Sequence, residues 1–233
     1  MRSTTRYYIS LLLIFVGLGA AFAQQKKVAK PKKDFSPAAV RFGTDLIDLG
    51  KTFSGTTFSG YEVNTDVGFA NYYLTADVGS WAKNLSVNNG TYGNSGSYYR
   101  WGIDVNFLEK DPDKNMFFLG FRVGHASFSE HLSYQATSLN LFSPATINAS
   151  NGHVTGGWAE ITTGLRVKVW KGFWMGYTAR MKFAPSTKGS NPTMAPYDMP
   201  GYGIVQDKPW WGFNYQLFWK FNWKKEKPVP LKK

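Results

Sequence analysis

Cysteine is absent from the 233 residues. That excludes disulfides, thiolate metal ligation and thiol catalysis. Histidine is nearly absent too, limited to His125, His131 and His153. Carboxylates are scarce, with 15 Asp and Glu against 27 Lys and Arg. Beyond the N-terminal segment no stretch stays apolar for the 18 residues that would suggest a transmembrane helix.

One apolar run stands at the start. Arg2 and Arg6 precede an apolar stretch from Ile9 to Phe22, and Ala21-Phe22-Ala23 has the small-residue pattern of a cleavage site. At 14 residues the run is shorter than the roughly 20 that a spanning helix needs. Residues 1–23 are therefore read as a secretory signal peptide, with Gln24 as the new N-terminus. No cysteine stands at the cleavage site, so a lipoprotein is not expected.

The net charge of +12 invites a nucleic-acid reading, and its distribution argues against one. Residues 24–37 hold five lysines against Asp34, and residues 224–233 hold five against Glu226. Without those tails and the signal, residues 38–223 carry only +2. The two Lys- and Pro-rich tails have the composition of disordered segments.

What is abundant is glycine and aromatic residues: 24 Gly, 18 Phe, 13 Tyr and 9 Trp. Period-two alternation predicts eight strands, over about 39–49, 60–68, 72–81, 98–107, 116–128, 157–169, 173–183 and 210–223. Connections after the second, fourth and sixth strands are short, as at Phe69–Asn71 and Trp170–Gly172. Those after the first, third, fifth and seventh are read as long, polar loops, Gly90–Ser97 among them. Alternating short turns and long loops is the habit of outer-membrane barrels. The expectation is an all-β chain, an eight-stranded antiparallel up-and-down transmembrane β-barrel over residues 38–223, with both termini periplasmic.

Each strand has one apolar and one polar face. The apolar face carries aromatics near strand ends and aliphatics between, as in Tyr72, Leu74, Ala76, Val78 and Trp81. That is the profile of a wall in lipid, not of a soluble barrel with its apolar face inside. An eight-stranded lumen is too narrow for a dozen inward aromatics. The polar face should then line the lumen, with Arg41, Arg100, Arg122, Arg166, Lys168, Arg180, Lys182 and Lys220 against Asp45, Glu62, Asp66, Asp77, Asp104 and Glu160. Two nearly matched signs suggest a structural plug in place of a charged pore.

The stretches at 41–49 (RFGTDLIDL), 98–107 (YYRWGIDVNF), 117–129 (FFLGFRVGHASFS), 158–183 (WAEITTGLRVKVWKGFWMGYTARMKF) and 199–203 (MPGYG) resemble a family of small uncharacterised outer-membrane β-barrel proteins of Bacteroidetes, catalogued as a domain of unknown function. The resemblance implies the barrel and the outer membrane, and no activity.

Candidate chemistry is thin. His125 and Ser127 share a strand face, with Glu130 three residues on. This resembles the His and Ser spacing of the lipid A deacylases, which would imply ester hydrolysis by a hydroxyl nucleophile, imidazole base and carboxylate. Phe128 stands where that family has Asn. His125, His131 and His153 are candidates for a metal site only if loop geometry gathers them, and Pro200-Gly201-Tyr202-Gly203 reads as a turn, with partner recognition as the alternative. No catalytic, cofactor-binding or metal residue is assigned, and no cofactor is expected. The expected function is a non-enzymatic outer-membrane barrel with a structural or partner-interaction role, against a lipid hydrolase or a small-solute pore. Expected partners are outer-membrane lipid and lipopolysaccharide around the barrel. The lysine tails would act as linkers or meet anionic lipid, peptidoglycan or a periplasmic protein; nucleic acid is not expected.

Overall fold

A computed structural model describes residues 35–37, 39–55, 57–108, 111, 115–136, 145–189, 191 and 194–222. The expected signal peptide over residues 1–23, most of the first tail, the second tail and Trp223 lie outside the described residues. The wall strands are β1 (Ala39–Asp45), β2 (Phe58–Phe69), β3 (Tyr72–Val87), β4 (Gly90–Asn106), β5 (Met116–Ala136), β6 (Ala145–Trp170), β7 (Phe173–Gly189) and β10 (Trp210–Asn222). A helix, α1 (Leu46–Ser54), follows β1, and a small hairpin of β8 (Asp198–Met199) and β9 (Gly203–Ile204) precedes β10. Every wall strand pairs antiparallel with its neighbours, and β1 pairs with β10, so the eight-stranded sheet closes on itself. No helix among the described residues is long and apolar enough to cross a membrane.

The alternation sorts side chains as expected. Phe42, Val63, Leu74, Trp101, Phe121, Leu165 and Trp219 face outward and are exposed, while Arg41, Asp66, Asp104 and Arg166 are buried inside. Inner glycines give room to rings from neighbouring strands: a Cβ on Gly79 would meet Tyr98, and one on Gly124 would meet Trp158.

Three expectations need correction. The first strand was expected to reach residue 49, yet it ends at Asp45 and turns into α1. Asp45 caps the helix, accepting a hydrogen bond from Ile47 N at 3.1 Å. Asp48 sits in the first turn and Lys51 in the last, where each complements the helix dipole. Second, Gly90–Ser97 is not loop. β3 and β4 run on as one hairpin, closed by a two-residue turn at Asn88–Asn89 with Asn89 at φ 57°. Asparagine tolerates that left-handed conformation better than most residues. The strict alternation of long and short connections therefore fails after β3. Third, Lys168 is exposed and not buried in the lumen: it pairs with inward Trp174 but stands two residues from the end of β6, where the inner face meets solvent.

β5 and β6 are also longer than expected. The eight residues of β5 beyond Phe128 add roughly 25 Å along the strand at about 3.3 Å per residue. The turns after β2, β4 and β6 lie at the same end as the chain entry to β1 and the exit from β10. The tall hairpins, α1 and the β8–β9 segment gather at the other end, the mouth.

Candidate functional site

The lumen holds a continuous chain of alternating charges. Arg41 Nε lies 2.8 Å from Asp66, which also holds Arg166 at 2.7 Å. Arg166 reaches Asp104 at 3.1 Å, and Asp104 holds Arg122 at 3.0 Å. Arg122 then meets Asp77 at 2.5 Å, where Arg180 (3.2 Å) and Arg100 (3.3 Å) also converge. Arg180 reaches Glu160 at 2.9 Å, and Arg100 pairs with Glu62. With Lys168 exposed at the turn-end rim and Lys220 only half-buried, the buried polar face expected from the sequence has six bases and six acids. Ten of these charges have a partner of opposite sign, and Asp45 and Lys182 are held by neutral groups, Asn214 Nδ2 for the first and the Gly201 and Tyr202 carbonyls for the second, which offsets the cost of burying them.

Near the turn end, aromatic rings take over as partners. The Arg166 guanidinium lies 4.8 Å from the Phe118 ring and 5.0 Å from Phe218. Arg41 lies 4.8 Å from Tyr73 and 5.2 Å from Trp174. The sequence reading missed these stacks, since Phe118, Trp174 and Phe218 sit on the inner face among the polar residues.

At the mouth, residues 194–205 fold inward as a cap. Met199 and Tyr202 are fully buried in a cluster with Tyr98, Ala126, Phe128, Val154 and Trp158. The Pro200–Gly203 segment is a turn as expected, with Gly201 at φ 77° and Gly203 at φ 109°, conformations that glycine adopts without strain. Lys182 Nζ donates to the carbonyls of Gly201 (2.7 Å) and Tyr202 (2.9 Å). Lys83 pairs with Asp198 at 2.7 Å, and Asn151 Nδ2 donates to Met194 O at 2.8 Å. Burial pushes the Tyr202 phenol above the ordinary tyrosine range. Beside the cap opens a cleft of about 630 Å³, walled by α1, the top of β2, the cap and the top of β10.

The His–Ser–Glu constellation does not assemble. His125 and Ser127 share the outer face, where the His125 ring packs 5.4 Å from Tyr99. Glu130 lies on the inner face, past a bulge between Phe128 and Glu130. It accepts from Tyr92 OH (2.9 Å), Asn151 Nδ2 (2.9 Å) and Tyr197 N (3.2 Å). Its place is therefore in the cap's hydrogen bonding, not beside an imidazole. His131 and His153 are exposed, and among the described residues no three His, Asp or Glu side chains are grouped to hold a metal.

The class that emerges is a small closed β-barrel with a charge-filled lumen and a capped mouth. Residues 4–225 match the DUF6048 family, a domain of unknown function, and the chain belongs to that family. No curated protein and no solved structure matches it.

Proposed function

We propose that this protein is an integral outer-membrane barrel, exported and with both chain ends periplasmic, serving a structural or partner-interaction role without catalysis. The observation that carries this reading is the outer wall. Its apolar run extends from Phe107, just past the end of β4, to Tyr99 on β4, from Phe117 to Val123 on β5 and from Val169 to Ala159 on β6. Those lengths approach the 9–11 residues of a tilted spanning strand. At the mouth side the wall changes abruptly. Ser80, Ser97, Ser127, Thr155 and Lys188 are successive register partners across β3 to β7. Water-facing hydroxyls there explain why the strands outlast their hydrophobic pattern.

Charge follows the same division. All eight carboxylates within described strands are buried. Exposed lysines sit at the two rims, Lys168 and Lys171 at the turn end and Lys51, Lys188 and Lys208 at the mouth. An apolar band between two cationic rims suits a bilayer whose head groups carry phosphate. The expected result is that the protein stays in outer-membrane sheets through a carbonate wash and changes apparent mass on boiling in detergent. Release into the soluble fraction by osmotic shock would overturn the reading.

Against a pore stands the filled lumen. Planar bilayers containing the purified protein are expected to show no steady conductance. Reproducible channel openings would replace the plug with a pore. Against a lipid A deacylase stands Glu130, which lies on the opposite face of the wall from His125 and Ser127 and is held by Tyr92 and Asn151. Cells making the wild type, Ser127→Ala or His125→Ala are expected to yield the same lipid A mass profile. Loss of an acyl chain in the wild type alone would establish the hydrolase.

A further inference from the structure

β1 is too short to complete the wall. It pairs with β10 from Ala39↔Asn222 to Asp45↔Gln216, and with β2 from Val40↔Val67 to Thr44↔Val63. Above those points β2 continues to Phe58 and β10 to Trp210, with no strand between them. α1 occupies the gap and buries none of its own residues. Side chains substitute for the missing ladder. Thr52 Oγ1 accepts from Gly60 N at 2.8 Å and lies 2.8 Å from Gly60 O. Asp45 accepts from Tyr215 N at 3.1 Å. An edge held by a few side-chain bonds separates at lower cost than a paired strand.

The mouth cleft runs through this gap. Its lining includes luminal Arg100 and Lys182, and also Trp211 and Phe213, which face outward and are 57% and 52% exposed. One cavity therefore joins the polar interior of the mouth to the apolar outer wall. Its charged lining is balanced, four acids against four bases. Three polar groups of that lining are buried without a hydrogen-bond partner: Arg100 Nε, Asp198 Oδ1 and the Tyr202 hydroxyl. A volume of about 630 Å³ is the size of a small-molecule site.

We infer that this gap is a lateral portal that binds a single-chain amphiphile with a zwitterionic head, the head in the mouth cleft and the chain leaving over Trp211 and Phe213. The balanced lining disfavours a head of net charge. The unpartnered acceptor on Asp198 suits an ammonium, and Lys182, an ammonium that the cap meets only with carbonyls, suits a phosphate. The chain has an apolar surface to follow because the gap opens sideways and not only upward. The inference rests on the membrane reading above, which supplies the bilayer that the chain enters.

The test is native mass spectrometry of detergent-purified protein with 1-oleoyl lysophosphatidylethanolamine. Lysophosphatidylglycerol, with the same chain and a net negative head, and chain-free glycerophosphoethanolamine are the comparators. A one-to-one adduct is expected with the zwitterionic lipid, at least about tenfold tighter than with the anionic one, and none with the free head group. Trp211→Ala with Phe213→Ala removes outward side chains only and should weaken the adduct about tenfold. Gly212→Trp should abolish it, since the close neighbour of a Cβ there is the flexible end of Lys182, with Arg180 Cβ at 4.0 Å, and a larger group would project into the cleft. Heat-modifiable migration reports folding of each variant, and the double alanine variant decides the matter if Gly212→Trp does not fold. Equal adducts for both lipids, several adducts per barrel, or binding indifferent to the variants would overturn the portal. A membrane-embedded barrel without an adduct sinks the portal alone, whereas a soluble protein sinks the membrane reading and the portal with it.

Discussion

Replacing Asp77 by alanine is expected to destabilise the barrel by about 3–5 kcal/mol, the cost of leaving a buried ion pair broken on one side. Asp77 is the point where three strands' arginines converge: Arg122 at 2.5 Å, Arg180 at 3.2 Å and Arg100 at 3.3 Å. Asn64 Nδ2 also donates to it at 2.8 Å. Arg122 and Arg180 retain Asp104 and Glu160 as second partners, so the network bends without vanishing. Yet three guanidiniums would then share one carboxylate fewer in a site that water does not reach. The measurement is the urea midpoint of the heat-modifiable band. Arg122→Ala alone should also be costly, whereas Asp77→Ala combined with Arg122→Ala should cost less than the two single losses added together, because each removes the other's stranded charge. Additivity of the two would show that the ion pair is not coupled.

Gly124→Val is expected to cost at least about 3 kcal/mol or to prevent folding, beyond the usual range for overpacking. A Cβ at Gly124 would stand 2.2 Å from Trp158 Cε2. The indole has little freedom to retreat. Its Nε1 donates to Glu160 at 2.7 Å, and its ring meets Tyr202 edge-on at 5.9 Å between centroids. Displacing Trp158 would therefore disturb both the charge network and the cap. Gly152→Ala is the comparison, since a Cβ there meets nothing within 4 Å. Its effect should stay within about 0.5 kcal/mol. Equal urea midpoints for the two variants would contradict the packing argument.

The strand number, the in–out alternation and the luminal charges were legible because period-two patterning is the direct imprint of a wall with two different faces. The errors occur where that imprint fades. β3 to β6 were cut short because their outer residues become Ser97, Ser127, Ser129 and Thr155, so alternation continues without hydrophobic contrast. The helix from Leu46 was hidden by Leu46, Ile47 and Leu49, which resemble strand residues, although Asp45 and Asp48 gave the signature of a helix start. Lys168 was read as luminal because alternation carries the inner face to the very end of β6, where that face meets solvent. Strict alternation also has no means of showing an extra residue, such as the one on β6 that leaves both Val154 and Asn151 facing inward. The cap's burial was not legible at all. Met199 and Tyr202 gain their partners from β4, β5 and β6, far away in sequence.

The charge chain also bears on how such a molecule comes to exist. Arg180 reaches across to Asp77 over 103 positions, and Arg166 to Asp66 over 100. None of those ties can form inside a single hairpin. A half-built sheet could form the pairs between neighbouring strands, such as Arg122–Asp104 and Arg180–Glu160, but would leave its arginines and carboxylates short of their remaining partners, so the luminal charges penalise open intermediates. Contacts this distant make acquisition of the native state slow. The same contacts make it concerted, with curling of the sheet, pairing of β1 to β10 and neutralisation of the interior occurring as a single event.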